Sequence, residues 1–457
     1  MRKLNDTIVA LATPYGKGAI SIIRLSGPDS LKILKKIFRC KKDFTRRGIY
    51  KGLIVDGNKI IDEAVVIVYR QPKSFTGEDL VEINCHGGII ITKNILNLCL
   101  KHNARLAERG EFSLRAFLNK KIDLVQAEAI NDLVNAKSEK FVSVAISTLL
   151  GNFSKFINNI SNKLKNLLVK LEVSIDHPDE DIEFINKSEI KRDIEEIISI
   201  IEEALSTAET GKFLNYGVNI VIVGKANVGK STLFNLLIKK DKAITSEIPG
   251  TTRDAIEEWL DINGVPVKII DTAGFKFKIN KIEDKAILKT EEMINQSDLI
   301  IAMLDASVEL DDFDIDLINK LNQLKKKIIF VVNKIDLPVK IDYDKFSNLI
   351  KKNFIKISAK TSENISQLEK AIEKLVIDEK ILVKKNDMII TNVRYENLLK
   401  ESLNNLKNAK EALKGNLTED LIASDIRRAI KSLEEITGEF TTEELLNSIF
   451  SNFCIGK

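Results

Sequence analysis

From Phe153 onward the apolar residues return every three or four positions. Phe153, Phe156, Ile157, Ile160, Leu164, Leu167, Leu168, Leu171 and Ile175 form the stripe of a long amphipathic helix, and no proline interrupts the chain between Pro72 and Pro178. Before residue 120 the pattern is different. Ala19–Leu25, Ala64–Tyr69 and Leu80–Asn84 are short runs rich in Val and Ile, separated by Gly and Pro, and they predict strands. A third pattern begins near Gly217. Apolar runs at Val218–Val223, Val267–Ile270, Leu299–Leu304, Lys327–Val332 and Phe354–Ile357 alternate with helical stretches, which predicts a parallel sheet covered by helices on both faces. After residue 380 helical spacing returns, with Leu399, Leu403, Leu406 and Leu413 and then Leu421, Ile422, Ile426, Ala429, Ile430 and Leu433. Thr441-Thr-Glu-Glu444 reads as a capping box opening the last helix.

These patterns predict an α/β plus all-α multidomain chain: an N-terminal α/β domain over 1–120, a helical part over 121–215, an α/β domain over 216–380 and a second helical part over 381–457. Neither helical flank has a partner for its apolar stripe on its own side, so the two should pack together, with the α/β block inserted between them. At 457 residues the length suits several domains, and 44% hydrophobic against 30% charged residues supports real cores. Lys+Arg 70 against Asp+Glu 66 leaves a net +4, which argues against a protein held on nucleic acid by bulk charge alone but leaves room for a local basic patch. Cys40, Cys85, Cys99 and Cys454 are scattered with no C-x-x-C pair, and only three histidines occur, so a disulfide framework and a zinc finger are both disfavoured. No apolar leader follows Met1 and no run of 18 apolar residues occurs, so the expectation is a cytoplasmic protein with no membrane partner.

The most specific motif is Gly224-Lys-Ala-Asn-Val-Gly-Lys-Ser231, between an apolar strand and a helical stretch. Its glycines let backbone N–H groups wrap phosphates, Lys230 reaches the β/γ oxygens, and the Ser231 hydroxyl can ligate Mg²⁺. Asp271-Thr-Ala-Gly274 ends the next strand, where Asp271 can hold the metal through water and Gly274 can sense a γ-phosphate. Asn333-Lys-Ile-Asp336 ends another, and an Asp carboxylate there can accept from the N1–H and N2–H₂ edge that guanine has and adenine lacks. Ser358-Ala-Lys360 follows the next strand and would pack the base from the other side. All four lie at the carboxyl ends of strands, where open α/β sheets bind ligands.

Together these residues resemble the G1, G3, G4 and G5 motifs of the GTPase superfamily. The implied GTP contacts are Asn227, Val228, Gly229, Lys230, Ser231 and Thr232, then Ser246, Glu247, Ile248, Pro249, Gly250 and Thr251, then Asp271, Thr272, Ala273 and Gly274, and finally Asn333, Lys334, Asp336, Ser358, Ala359 and Lys360. A Ras-like protein carries Gln after D-x-x-G to orient the attacking water, and here that position is Phe275. Asn227, with Ser246-Glu-Ile-Pro-Gly-Thr-Thr-Arg-Asp254, looks like the GTPases in which K⁺ sits where an arginine finger would act. That likeness implies K⁺ ligands at Asn227, Ser246, Ile248 and Thr251; Asn227 alone could equally cap the loop. Thr252, with Thr251 as its alternative, is the expected second protein ligand of Mg²⁺.

The flanks add Asp6–Pro14, Gly18–Gly27, Ser74–Glu82, His86–Gly88, Ala107–Ala129 and the terminal Cys454-Ile-Gly-Lys457. With the GTPase motifs, this constellation resembles the MnmE (TrmE) family of tRNA-modification GTPases along essentially the whole chain. The resemblance implies an N-terminal domain that binds a tetrahydrofolate derivative (5-formyl or methylene) and forms a homodimer, and a GTPase domain inserted in a helical domain. It further implies a heterotetramer with MnmG (GidA), FAD on that partner only, and K⁺-stimulated GTP hydrolysis. The modification falls on C5 of the tRNA wobble uridine and leaves a carboxymethylaminomethyl or aminomethyl group. Carried onto this sequence, the folate contacts fall on Arg24, Glu82, Lys121 and Lys457, Cys454 becomes a candidate functional thiol, and Glu283, with Asp284 as its neighbour, joins Lys230 as the catalytic pair. The competing reading, a ribosome-assembly GTPase of the Era/Der type, shares the GTPase motifs. It needs a KH-like G-x-x-G module or a basic RNA-binding extension, and the sequence offers neither.

Overall fold

The structure is a computed structural model that describes residues 5–176, 187–242, 259–270, 293–350, 353–376, 389–415 and 418–457. It divides into two compact units. The first comprises Met1–Val134, Ile146–Ile194 and Asn404–Lys457, the second Asn135–Ala145 and Glu195–Leu403.

The first unit holds a seven-stranded sheet in the order β3-β4-β5-β6-β2-β1-β7. Its strands are β1 (Ile8–Leu11), β2 (Ile20–Ser26), β3 (Phe38–Arg39), β4 (Gly48–Asp56), β5 (Lys59–Tyr69), β6 (Leu80–His86) and β7 (Arg105–Leu106). Alternation decides which face is covered. Val66, Val68, Val81, Ile83, Ile23 and Leu25 point to helices α1 (Ser30–Ile37) and α2 (Ile89–Lys101) and form one buried cluster with them. The intervening positions, among them Arg24, Glu82 and Asn84, stay only partly buried on the other face. Helices α3 (Glu111–Leu118) and α4 (Leu124–Asn135) follow, then α5 (Glu139–Leu149), the long α6 (Asn152–Asp176) and α7 (Lys187–Leu205).

Helix α8 (Ala208–Tyr216) leads into the second unit's six-stranded sheet, ordered β13-β12-β11-β8-β10-β9. These are β8 (Val218–Val223), β9 (Trp259–Ile262), β10 (Val265–Ile270), β11 (Leu299–Asp305), β12 (Lys327–Asn333) and β13 (Phe354–Lys356). Along β8, Ile220 and Ile222 enter one apolar cluster while Val221 and Val223 enter another. Burial on both faces is why this strand reads as an unbroken apolar run. The parallel expectation holds for β8, β10, β11, β12 and β13, but β9 joins β10 antiparallel, because Asn263 (φ +53°) and Gly264 (φ +82°) make a tight hairpin turn between them. This unit also contains α9 (Lys230–Lys242), α10 (Asp312–Gln323), α11 (Tyr343–Ile350), α12 (Ile365–Val376) and half of α13 (Val393–Lys414), together with the parts of α5 up to Ala145 and of α7 from Glu195.

The chain then returns to the first unit with α14 (Glu419–Thr437) and α15 (Glu443–Phe450). Helix α14 packs along α6, so the apolar stripes of the two distant helical segments do cover one another. Helix α15 buries Phe450, with Phe453 beyond it, against Leu114, Leu124 and Ala127. Its cap is Thr442 rather than Thr441: Thr442 Oγ1 accepts from Leu445 N at 3.2 Å, and the third helical position is therefore Leu445, which cannot close a reciprocal box. Among the described residues no helix is long and apolar enough to cross a membrane.

Candidate functional site

The phosphate loop joins β8 to the first turn of α9, whose unpaired N–H groups form an anion site. Two glycines in it are irreplaceable on steric grounds. Gly224 has φ +148°, and a Cβ there would lie 2.3 Å from the Met303 carbonyl oxygen; Gly229 has φ +103°, and its Cβ would meet Asn333 Nδ2 at 2.2 Å. Asn227 takes the left-handed conformation at φ +65°, which Asn tolerates better than most residues. Lys230 is buried, and its ammonium donates to the carbonyls of Gly224 at 2.8 Å and Lys225 at 2.6 Å. The charge is thereby held over the concavity of the loop. Ser231 and Thr232 are exposed at the start of α9, and Val228 is buried beneath the loop.

The base-side residues are tied to this loop. Asn333, at the end of β12 and buried, donates from Nδ2 to the Val228 carbonyl at 2.7 Å and accepts at Oδ1 from Ala359 N at 2.9 Å. One side chain thus connects the phosphate loop, the Asn333–Asp336 turn and the Ser358–Lys360 turn. Asp336 is exposed, with Oδ1 accepting from the buried Ser358 hydroxyl at 2.7 Å, so the carboxylate is oriented while its other oxygen faces outward. Lys334 (φ +66°) donates to Asp305 Oδ2 at 2.5 Å, and Lys360 is exposed.

Two connections escaped the sequence reading. Asp305, at the end of β11, anchors Lys334; burial would raise its pKa, but hydrogen bonds from Lys334 and Ser307 win and hold it below the ordinary carboxylate range. Its position at the carboxyl end of a parallel strand was the available signal. Lys225, a variable position of the phosphate motif, pairs with Asp311 and, at 2.8 Å, with Asp314 at the start of α10. Burial opposes its charge, yet these two carboxylates raise its pKa overall. The remaining nucleotide and cation candidates, Ser246, Glu247, Ile248, Pro249, Gly250, Thr251, Thr252, Asp271, Thr272, Ala273, Gly274 and Glu283, lie outside the described residues.

A second cluster sits on the open face of the first unit's sheet. Arg24 on β2 and Glu82 on β6 stand directly opposite each other in register. Arg24 Nε and Nη2 both reach Glu82 Oε1, at 3.0 and 2.8 Å, and Nη1 donates to the Gly456 carbonyl at 3.2 Å. The guanidinium lies 5.9 Å from the Phe75 ring centroid and 5.7 Å from that of Phe112. Tyr69, missed by sequence reading, donates to Glu82 Oε2 at 3.4 Å; burial, then the Glu82 charge, raises its pKa. The terminal segment is held by Phe112 N donating to the Lys457 carbonyl at 3.2 Å and Gly110 N to that of Cys454 at 3.4 Å. Burial pushes the Lys457 ammonium down, with nearby Cys454 opposing and Arg24 adding to the effect. Cys454 is an exposed free thiol. Arg24, Glu82, Lys457 and Cys454 therefore share one neighbourhood, whereas Lys121 Nζ donates to the Pro72 carbonyl at 3.0 Å, at the base of the loop carrying Phe75.

The profile of the MnmE helical domain matches residues 124–454, and that described as GTP-binding protein TrmE N-terminus matches residues 7–121. The chain belongs to the MnmE (TrmE) family. Curated relatives of the MnmE family agree over nearly full length. The tRNA modification GTPase MnmE of Acetivibrio thermocellus is 42% identical, with 99% of each chain covered. Those of Carboxydothermus hydrogenoformans and Thermotoga maritima are 41% and 42% identical, each with 99% of this chain and 100% of the relative covered. Among solved structures, the FeoB G-domain of Methanococcus jannaschii is 27% identical over 35% of this chain and 98% of its own, at a TM-score of 0.28, too low to argue from.

Proposed function

We propose that this member of the MnmE family is, like its relatives, a tRNA modification GTPase, with GTP held between the phosphate loop and the Asn333–Asp336 and Ser358–Lys360 turns. The carrying observation is the double hydrogen bond of Asn333, to Val228 and Ala359, which ties the loop read as phosphate-binding to the turns read as base-binding. In this reading Lys230 leaves the loop carbonyls for the phosphate oxygens, and the outward oxygen of Asp336 meets the guanine edge. The exposed Ser231 hydroxyl suits a Mg²⁺ ligand, completed by Thr252, and the left-handed turn at Asn227 in the phosphate loop supports its reading as a K⁺ ligand with Ser246, Ile248 and Thr251. These cations would neutralise charge that builds on the transferring phosphoryl group. Glu283 is the proposed orienter of the attacking water.

The Arg24–Glu82 cluster suits a reduced folate. A carboxylate can pair the amide and amino edge of a pterin, aromatic rings flank the guanidinium, and Lys457 and Lys121 offer cations to carboxylate groups. Bound there, the folate would supply a one-carbon unit to C5 of the wobble uridine, in a cytoplasmic complex of this homodimer with the FAD-containing MnmG. Mass spectrometry of tRNA nucleosides from cells depleted of the chain tests the reading. C5-aminomethyl-type uridines should disappear, and return with the wild-type gene but not with Lys230→Ala. An unchanged nucleoside profile would overturn it.

A further inference from the structure

Between Lys155 and Lys170, helix α6 presents a face to solvent that carries no carboxylate. The sequence has no Asp or Glu between Glu139 and Glu172, in a chain with Asp+Glu 66 in 457 residues. Lys155, Lys163 and Lys170 are exposed and follow one another at spacings of eight and seven residues, which is two helical turns, so they share one side. Asn158, Asn162 and Asn166 are exposed between them. A surface helix ordinarily offsets its lysines with acids three or four positions away, and this face has none on its own helix. Among the described residues Val169 and Val173 are its exposed large apolar side chains, a pair one turn apart and too small a patch to seat a protein core or enter a bilayer.

Across the α6–α14 seam, α14 adds Arg427, Arg428 and Lys431 in a helix that also carries Asp425, Glu434 and Glu435, and Arg428 lies 3.7 Å from Asp425. Arg427 bonds to Glu172 at 2.7 Å, which brings α14 alongside, and Arg428 and Lys431 are exposed next to it. At the opposite end of the seam Lys165 pairs with Glu434. Lys170 lies 3.7 Å from Glu189, an exposed pair that a phosphate can displace. From Lys155 to Lys170 the helix rises about 22 Å.

We propose that this face of α6, with Arg427, Arg428 and Lys431 beside it, contacts the phosphodiester backbone of the tRNA. The lysines supply the charge attraction and the asparagine amides both donate and accept, so they can pair phosphate oxygens and 2′-hydroxyls alike. The proposal rests on the tRNA-modification reading above. The surface is invisible to a search for basic runs because its charges are two turns apart.

The test compares the full-length wild-type chain, a Lys155→Glu/Lys163→Glu/Lys170→Glu variant and the matching triple Lys→Arg variant. Binding of purified total tRNA is followed by fluorescence anisotropy as salt is varied, with GTP turnover and helical circular dichroism as controls. The triple reversal should weaken tRNA binding at least about tenfold and lower the slope of log affinity against log salt by about one per lysine, with GTP turnover and helicity unchanged. The arginine variant should bind as wild type does. Equal tRNA binding by wild type and the reversal would overturn the assignment of this face while leaving the tRNA reading intact. A reversal that lost only binding to anionic lipid vesicles would overturn it as well. A wild-type chain with no affinity for tRNA would bring down both readings together.

Discussion

Asn333 and Val228, distant in sequence, are joined by a 2.7 Å hydrogen bond from the Asn333 side-chain amide to the Val228 carbonyl, and both residues are buried. The bond fixes where the phosphate loop stands relative to the turn that carries Asp336. Replacing Asn333 by Ala removes the donor to Val228 and the acceptor for Ala359 N at once. Each buried group left unpaired costs about 1–3 kcal/mol. Nucleotide affinity measured by calorimetry should fall at least about tenfold and the melting temperature should drop. Unaltered affinity with lowered stability would show that Asn333 serves the fold alone.

At the other cluster, Gly456 is the pivot of the terminal segment. It has φ +94°, and a Cβ there would lie 2.5 Å from the Leu11 carbonyl oxygen. Gly456→Ala must therefore move the segment off β1 and away from Arg24, which donates to the Gly456 carbonyl. Binding of a reduced folate, followed by fluorescence or calorimetry, should weaken severalfold, while basal GTP turnover stays as in the wild type. Loss of GTP turnover in parallel would mean that the substitution unfolds more than the terminal segment.

The phosphate loop was legible as a candidate nucleotide site because its chemistry is local. The glycines, Lys230 and Ser231 fall in one continuous motif, and strand ends are marked by apolar runs such as Val218–Val223. What was not legible depends on long-range register. Tyr69 reaches Glu82 only because β5 and β6 pair with Ile67 opposite Glu82, and nothing along the chain announces that pairing. Lys225 meets Asp311 and Asp314 because α10 begins beside the phosphate loop, and its place in the motif is a variable one. The antiparallel β9 was likewise hidden: its four residues are too few for a periodic signal, and only the Asn263–Gly264 turn betrays it.

Asp132 on α4 should give the chain a pH-dependent stability. Burial, and then the charge of Glu128 one turn away, push its carboxyl up to about 7 from 3.8. The folded chain then keeps a proton that the unfolded chain releases. The resulting stabilisation is full below the unfolded value and is lost as pH rises towards 7. Asn at this position is neutral throughout. In thermal unfolding followed by circular dichroism, Asp132→Asn should match the wild type near pH 4 and exceed it by several degrees at pH 8. A constant difference across that range would rule out titration of Asp132 as the cause.

The guanine preference can be inverted at one atom. Asp336 has one carboxylate oxygen held by the Ser358 hydroxyl at 2.7 Å and the other directed outward. A carboxylate accepts from both N1–H and N2–H₂ of guanine. An Asn amide at the same place accepts once and turns its own NH₂ against the guanine amino group, donor against donor. Xanthine has a carbonyl where guanine has that amino group, so it suits the amide. Hydrogen bonds to a charged acceptor contribute about 1.5–3 kcal/mol each, so Asp336→Asn should weaken GTP binding by roughly ten- to a hundredfold and bring XTP to comparable or better affinity. Ser358→Ala should weaken GTP binding less and leave the order GTP over XTP unchanged, since it frees the carboxylate without altering what it accepts. Competition between labelled GTP and XTP on the purified chain decides the matter. An Asp336→Asn protein that still favours GTP would show that the base is read elsewhere.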